Sequence, residues 1–239
     1  MNRVDILAIA AHRDDVELTC AGALIRAADQ GHRTGILDLT AGESGTRGSA
    51  AERGEEAERA ATIMGVRERR NAGLPDAHLA NSEANRRVLI EHIRHFAPRV
   101  VILPFPGGRH PDHRIASERA RDACFLAGLA RYDAPGEPHR PHKLLYALAY
   151  REDPVKPTFV VNISEQFDRK LAAVRCYGSQ FDGARAAGEI FPTGQDLYSL
   201  VETQNAHYGS LIRCRYGEPY FTHETMRVDD VVALPVESM

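Results

Sequence analysis

Two short segments of the chain concentrate histidine and aspartate. Each places three such side chains within four residues: His12, Asp14 and Asp15 in the first, and His110, Asp112 and His113 in the second. Imidazole and carboxylate are ligands that Zn²⁺ accepts without thiolate, and a catalytic site needs three protein ligands and one open position. Two such groups on neighbouring loops would supply three ligands and leave spare side chains for proton transfer. We therefore expect a catalytic metal site.

A simpler interpretation of each group stays open from the residues alone. A histidine in a loop is commonly a solvated or capping residue, and Asp14 or Asp15 could be no more than a helix N-cap. Because both groups are expected directly after strands, a shared metal site is favoured over two unrelated loops.

The elements that must position these groups follow from hydrophobic patterning. The apolar runs 4–11 and 99–103 precede the two groups and are typical of buried strands. Strand and helix patterns alternate through roughly the first 130 residues, which predicts an α/β, Rossmann-like, mostly parallel sheet with helices on both faces. In such sheets the ligand lies beyond the carboxyl ends of the strands. We expect one domain over residues 1–239.

The remaining elements are predicted from periodicity and capping residues. Further strands are expected at 34–39, 143–150 and 158–163, and helices at 15–30, 50–64, 82–95, 112–129, 164–177 and 196–211. Ser164 is the expected cap of the fifth of these helices. A loop rich in Gly, Ser and Thr covers 41–48. No role is assigned to 217–239 beyond closing over the site or packing on a neighbouring subunit.

Composition excludes several classes of protein. The 239 residues include 30 basic and 33 acidic side chains, a balance that argues against a nucleic-acid-coating protein. No apolar stretch approaches the roughly 20 residues of a membrane span. A Gly-x-Gly-x-x-Gly motif does not follow the first strand, which disfavours dinucleotide binding. The four cysteines are scattered without a Cys-x-x-Cys pair, which predicts reduced thiols in a cytoplasmic protein.

At this point the chain resembles a known family. Ala-His-Arg-Asp-Asp-Val-Glu at 11–17, with His-Pro-Asp-His at 110–113, is similar to the paired signature of the LmbE-like, or PIG-L, zinc-dependent N-acetylglucosamine deacetylases. Segments 37–43, 53–57, 74–76 and 177–181 extend the resemblance over most of the chain, closest to the branch that deacetylates N-acetylglucosaminyl-malate in bacillithiol biosynthesis. The resemblance implies the LmbE-like fold, a Zn²⁺ cofactor, and a homo-oligomer, either trimer or hexamer. Two histidines and an aspartate with open positions could also hold Fe²⁺.

The resemblance also implies a role for each residue of the two groups. The expected metal ligands are His12, Asp15 and His113. Asp14 would be the general base that takes a proton from the attacking water. His110 would stabilise the oxyanion and protonate the leaving amine, and Asp112 would orient or tune His110. These tasks are the ones that amide hydrolysis requires.

Five further side chains are candidates for substrate contact. They are Arg53, Arg109, Arg13, Ser179 and Gln180. An arginine fork suits sugar hydroxyls or a carboxylate such as malate, although Arg53 could equally pair with neighbouring glutamates. Arg13 stands where the family usually has proline, and loss of that ring should loosen the turn between ligand and base. Arg13 also adds a cation next to Asp14, which would lower the pKa of that carboxylate and weaken it as a base. Alternatively, Arg13 recognises an acidic aglycone or points to solvent, and we expect activity to survive.

The leading hypothesis is a metal-dependent hydrolase that removes the N-acetyl group from a small GlcNAc conjugate, N-acetylglucosaminyl-malate in particular. One alternative is a deacetylase or amidase of another amino-sugar conjugate, such as an antibiotic glycoside or a thiol conjugate. Another is a metal- or sugar-binding protein without catalysis. Asp14 and His110 favour an enzyme, because a binding protein has no need of an acid/base pair.

Overall fold

The sheet of this protein is largely parallel. The computed structural model describes residues 3–148, 155–182 and 196–236. Within these ranges the strands are β1 (Ile6–Ala10), β2 (Thr34–Asp38), β3 (Glu68–Asn71), β4 (Val100–Pro104), β5 (Lys143–Ala147), β6 (Phe159–Asn162) and β7 (Gly217–Phe221). They form one sheet in the order β3-β2-β1-β4-β5-β7-β6. The first five in that order are parallel, whereas β7 is antiparallel to both of its neighbours.

Helices cover both faces of the sheet, as the alternating pattern predicts. They are α1 (Asp15–Thr19), α2 (Ala21–Asp29), α3 (Ala50–Met64), α4 (Glu83–Phe96), α5 (Pro111–Leu126), α6 (Phe167–Val174), α7 (Gly178–Phe181) and α8 (Leu197–Leu211). Leu24 of α2 and Met64 of α3 are buried against one face, and Phe96 of α4 and Ala120 of α5 against the other. In the described parts of the chain, every helix is too short or too polar to cross a membrane.

Capping residues account for the helix ends that were predicted correctly. Ser49 and Glu52 form a capping box at the start of α3, and Gly65 ends that helix with a left-handed φ of 71°. The Ser82 side chain accepts a hydrogen bond from the Asn85 amide at the start of α4. These local signals lie in the sequence itself, so the bounds could be read from it.

The helix predicted over 15–30 is two helices, and the cause is a distant contact. The chain breaks at Cys20, between α1 and α2. The amides of Gly22 and Ala23 donate to the Glu218 carboxylate at 2.7 Å each. Glu218 in β7 therefore caps α2 although it is distant in sequence. The negative charge of Glu218 is balanced by the buried ammonium of Lys170, at 2.6 Å.

The prediction that Ser164 caps a helix is wrong. The helix in that region, α6, begins at Phe167. The Ser164 hydroxyl instead accepts from the Arg215 and Tyr216 amides, at 3.1 Å each, because it lies beside the chain that leads into β7. The helix also ends earlier than predicted, at Val174, with the separate turn of α7 after it. The expected end of a strand at residue 150 lies outside the described residues.

Two strands were not predicted. The edge strand β3 reads Glu-Arg-Arg-Asn and lacks an apolar pattern. The strand β7 carries Pro219, which usually marks a sheet edge, yet it lies between β5 and β6 with Pro219 opposite Val160. Residues 217–221 are thus part of the sheet, which corrects the expectation of a lid or subunit surface for that stretch.

Candidate metal centre

The two histidine–aspartate groups meet at the carboxyl edge of the sheet. The first follows β1 and leads into α1, and the second follows β4 and leads into α5. The strands β1 and β4 are hydrogen-bonded neighbours, while β2 lies on the other side of β1. The strands that follow β1 in the chain, β2 and β3, lie on one side of it, and the next strands, β4 and β5, lie on the other side. The strand order therefore reverses between β1 and β4. A crevice at such a switch point is where ligands bind in open α/β sheets.

The three expected metal ligands converge. The His12 Nδ1 atom lies 3.4 Å from Asp15 Oδ2 and 3.3 Å from His113 Nε2, and His113 Nε2 lies 3.1 Å from Asp15 Oδ1. Ligand atoms bound tetrahedrally to a cation at 2.0–2.1 Å are about 3.3–3.4 Å apart. Two imidazoles and one carboxylate at these separations fit Zn²⁺ or Fe²⁺. Ligation by these residues stays a prediction.

The second nitrogen of His12 faces two more carboxylates. Its Nε2 atom is 3.2 Å from Asp76 Oδ1 and 3.7 Å from Asp112 Oδ2. Asp76 is held in place by the Ser44 amide, which donates to its Oδ2 atom at 2.9 Å. A carboxylate behind a ligating histidine fixes the ring and raises its basicity.

Asp76 was not predicted as a site residue. It was quoted only within a segment of family resemblance, without a role. The available signal was position, since Asp76 follows β3 and therefore lies on the same carboxyl edge as the ligands. That signal was hidden because the strand before it is polar.

The charges of the cluster are arranged to hold a cation. Burial opposes protonation of His12, but the carboxylates of Asp15 and Asp76 outweigh it and raise the pKa of His12 to about 11. The hydrogen bond from His12 lowers the pKa of Asp76 to about 2. Burial also opposes protonation of His113, and Asp15 again raises its pKa. These carboxylates therefore favour a positive charge between them, as the ligands of a cation do.

Asp14 faces an arginine rather than the helix that it precedes. It occupies the N-cap position of α1, yet its side chain makes no capping hydrogen bond. Its Oδ1 atom lies 3.3 Å from Arg53 Nη2. The alternative in which Asp14 is merely a cap is therefore wrong.

Arg53 is buried and reaches the site, which excludes the surface pairing that its glutamate neighbours suggested. Its Nη1 atom donates to the Gly42 carbonyl at 3.2 Å. Gly42 has a left-handed φ of 73°, and a Cβ atom there would overlap the Arg53 guanidinium. Glycine at this position is thus what admits Arg53 to Asp14.

His110 presents one nitrogen to its own helix. The Asp112 amide donates to His110 Nδ1 at 3.2 Å, so the neutral ring carries its proton on Nε2. The ring lies 4.8 Å from the rings of both His12 and His113. Burial and these two histidines lower the pKa of His110. A neutral donor of this kind suits stabilisation of an oxyanion.

The predicted role of Asp112, to orient or tune His110, stays a prediction. The Asp112 amide donates to the His110 ring, and the charge of the Asp112 carboxylate opposes the lowering of the pKa of His110. The Asp112 carboxylate also accepts from the Ala77 amide at 2.8 Å and faces His12. His12, His110 and Asp112 also form a second, wider group of possible ligand atoms, within 4.8 Å of one another.

Three of the expected substrate contacts are engaged within the protein. The Arg13 side chain donates to the Ala50 carbonyl at the start of α3. The Ser179 amide and hydroxyl bind the Glu56 carboxylate at 2.9 and 2.7 Å.

The Gln180 amide donates to the Arg47 carbonyl at 2.8 Å. Arg109 is exposed in the loop after β4. Contact of any of these side chains with a substrate stays a prediction.

A buried cluster around Arg69 holds the turn between the expected ligand and the expected base. The Arg69 guanidinium binds Asp38 through two hydrogen bonds, at 2.7 and 2.9 Å, and Glu17 at 2.6 Å. Arg69 and the Tyr177 hydroxyl both donate to the Arg13 carbonyl. The main chain at Arg13 is thus held from two sides, and the expectation that arginine in place of proline loosens this turn stays a prediction.

The fold and the cluster together define an α/β protein with a His₂Asp metal-type centre at the switch point of a parallel sheet. The family model of PIG-L, described as GlcNAc-PI de-N-acetylase, matches residues 7–124. The chain belongs to this family, as its two sequence signatures predict.

Comparison with known proteins agrees with this membership. The chain is 29% identical over 232 residues to a diacetylchitobiose deacetylase of Thermococcus kodakarensis, covering 89% of this chain and 80% of the relative. It is 29% identical over 197 residues to a probable N-acetyl-alpha-D-glucosaminyl L-malate deacetylase 2 of Bacillus anthracis, covering 75% of this chain and 83% of the relative. The crystal structure of the conserved protein TT1542 from Thermus thermophilus superposes with a TM-score of 0.84 at 37% identity, covering 95% of this chain and 98% of that one.

Proposed function

We propose that this protein is a metal-dependent hydrolase that removes the N-acetyl group from a GlcNAc conjugate. The observation that carries the proposal is the convergence of His12, Asp15 and His113, at 3.1–3.4 Å between ligand atoms, with two further acid/base groups beside them. The names of the two curated relatives, both deacetylases of N-acetylated sugars, support the same reaction.

The side chains divide the work of amide hydrolysis. Asp14, positioned by Arg53, takes a proton from the attacking water. His110 donates a hydrogen bond from Nε2 to the oxygen of the scissile carbonyl as negative charge develops there. Asp14 then gives the proton that it took from the water to the leaving amine, so the His110 ring stays neutral throughout, in place of its predicted role as the acid. A Zn²⁺ ion held by the three ligands would supply Lewis acidity and lower the pKa of water to about 7.

For the conjugate itself we propose N-acetylglucosaminyl-malate, with Arg53 and Arg109 as the cations that bind it. The Bacillus anthracis relative supports this choice. A di-N-acetylated sugar is the second candidate, because the Thermococcus kodakarensis relative is named for one.

The test is acetate release from N-acetylglucosaminyl-malate, diacetylchitobiose and free GlcNAc. Protein as purified, chelated and reconstituted with Zn²⁺ is compared with Asp14→Asn. We expect turnover that requires the metal and falls by about 10²–10⁴-fold in Asp14→Asn, the usual contribution of a general base. Asp133→Asn, at a carboxylate that is 91% exposed, is the control.

Two outcomes would contradict the proposal. Full activity of Asp14→Asn would exclude Asp14 as the base. Stoichiometric metal without release of acetate from any of the three compounds would exclude this class of substrate. A preference for the malate conjugate over free GlcNAc would support N-acetylglucosaminyl-malate as the substrate, beyond a general deacetylase of GlcNAc conjugates.

We further propose that the protein is a homo-oligomer, a trimer or hexamer, in a reducing cytoplasm. The buried free thiols of Cys20 and Cys124 support the compartment, since reduced cysteines persist there. Light scattering of the purified protein tests the oligomer.

A further inference from the structure

An apolar cavity opens beside the expected metal ligands. Asp15 and His113 form part of its wall, and it lies at the switch point between β1 and β4. Five buried apolar side chains, from β1, α1, β4, β5 and the residue that follows α1, form another part of the wall: Ile9, Val16, Cys20, Ile102 and Ala147. None of these side chains has a part in the proton transfers proposed above.

The apolar character of this wall favours binding of one part of an N-acylated sugar, the acyl chain. The sugar ring and the amide carry polar groups, and transfer of such groups into an apolar cavity without partners is costly. The acyl chain beyond the carbonyl carbon is the wholly apolar end of the molecule. It is also attached directly to the carbon that the water attacks, so it must lie within a bond length or two of the reacting centre.

We propose that this cavity is the acyl-chain site and that Ile102 and Ala147 limit the length of the acyl group that is removed. The proposal rests on the proposed function and adds a substrate property that the metal ligands do not determine. Ile102 is 4% and Ala147 3% exposed. Both belong to parallel strands that are paired in register, with Pro104 opposite Ala147, so the backbone behind them is held by the sheet.

The size of the cavity sets the expected limit. A water-sized sphere can occupy about 30 Å³ of it, which is room for roughly two groups of that size. Protein interiors are close-packed and do not yield easily. An acetyl or propionyl chain therefore fits, whereas butyryl and longer chains do not. One methylene in a hydrophobic pocket changes kcat/KM by about 10–200-fold.

The experiment compares two isoleucine substitutions in the same sheet, on the strands that flank β1. Ile102→Val shortens a side chain in the cavity wall, and Ile36→Val makes the same change in β2, within the same core layer but away from the cavity. N-acetyl, N-propionyl, N-butyryl and N-hexanoyl glucosamine are the substrates. We expect Ile102→Val to raise the butyryl-to-acetyl ratio of kcat/KM by about 10-fold, and Ile36→Val to leave it unchanged.

A binding measurement keeps the proposal testable when no substrate turns over. Acetate, propionate and butyrate are titrated calorimetrically into the Zn²⁺-loaded protein and into both variants. We expect Ile102→Val to tighten butyrate relative to acetate, and the filling variant Ala147→Val to weaken propionate more than acetate.

The outcomes separate the two proposals. A shifted acid series, together with no turnover of the N-acyl glucosamines or of the three compounds used to test the proposed function, would contradict that function but retain the cavity as a short-chain acyl site. Turnover, or acid binding, with the same chain-length profile in Ile102→Val and Ile36→Val would overturn the cavity proposal. Failure of all three acids to bind the loaded protein would overturn it as well.

Discussion

Two clusters of charged side chains flank the turn at Arg13, and they neutralise their carboxylates in opposite ways. Behind the turn, Arg69 is 2% exposed and binds Asp38 and Glu17 directly. In front of it, Asp15 and Asp76 face the His12 imidazole, which balances them only while it holds a proton. The inner cluster carries its own permanent cation, and the outer cluster leaves that position to an exchangeable one.

The difference supports a structural role for the inner cluster and the proposed metal site for the outer one. A guanidinium stays charged at every accessible pH and binds carboxylates in a fixed fork. A metal ion can replace the proton of an imidazole, so the carboxylates beside the ring can then balance the charge of the metal instead. The two clusters meet at the Arg13 carbonyl, where the inner one holds the backbone that carries the outer one.

Breaking the inner cluster should have the largest effect on stability. Arg69→Met leaves two buried carboxylates without their cation, and we expect the free energy of unfolding to fall by about 3–5 kcal/mol. Urea unfolding measures it. The control is Arg87→Met, which breaks the exposed pair with Asp133 at 2.7 Å and should cost about 1 kcal/mol or less. Equal losses in the two variants would refute the contrast between the clusters.

Filling the outer cluster should stabilise the protein. Zn²⁺ at 100 times its Kd should raise the free energy of unfolding by about 2.7 kcal/mol. Asp15→Asn should abolish this gain, because it removes the ligand that contacts both histidines. Asp29→Asn, at an exposed ion pair, should retain it. A metal-dependent gain that survives in Asp15→Asn would place the ion elsewhere.

The outer cluster should also be sensitive to pH. The pKa of His12 is raised from 6.5 to about 11, so its contribution to stability is present below pH 6.5 and is lost as the pH rises through 11. The pKa of Asp76 is lowered from 3.8 to about 2, so its contribution is present above pH 3.8 and is lost as the pH falls through 2.

The same proton must leave before His12 can bind a metal. Between pH 6.5 and 8.5 the affinity for Zn²⁺ should therefore rise about tenfold per pH unit from this group. Asp76→Asn removes a partner of His12 at 3.2 Å and should raise the affinity for Zn²⁺ at each pH with a similar slope, because the proton competes less while Asp15 still raises the pKa of His12. Calorimetric titration at several pH values measures both proteins, and equal affinities would show that Asp76 does not help to hold the proton.

The smallest expected effect on stability is at the turn around Arg13, between the two clusters. Tyr177→Phe removes the hydroxyl that donates to the Arg13 carbonyl and to Glu17, which should cost about 1 kcal/mol of stability and lower kcat more than it changes KM. Adding Arg13→Pro should restore part of kcat by fixing the backbone. The matched control is Tyr198→Phe, at an exposed hydrogen bond. A loss of stability with unchanged kcat would make Tyr177 structural only.

Much of the site was predictable because its residues follow apolar strands. The runs before His12 and His110 have the pattern of buried strands, and parallel strands bring their carboxyl ends to one edge. His113 and Asp15 therefore had to meet within a few ångströms. Asp76 was not predicted as a site residue because the strand before it, β3, is charged and lies at the edge of the sheet.

The features that sequence patterns missed depend on contacts between distant residues. The break at Cys20 follows from Glu218, nearly 200 residues away, which captures the first amides of α2. The position of Arg53 beside Asp14 needs the left-handed Gly42, and no periodicity in α3 indicates it. Local propensity cannot report interactions that exist only once the sheet has formed.

The position of β7 in the sheet determines when the sheet can be completed during synthesis of the chain. It is the last strand along the described chain, yet it lies between β5 and β6, so neither of those strands has this neighbour until residues 217–221 have left the ribosome. Until then, the β5 edge is an open template for other chains. The segment that was hardest to recognise in the sequence is thus the one that ends this exposure, and its arrival also delivers the Glu218 carboxylate to α2.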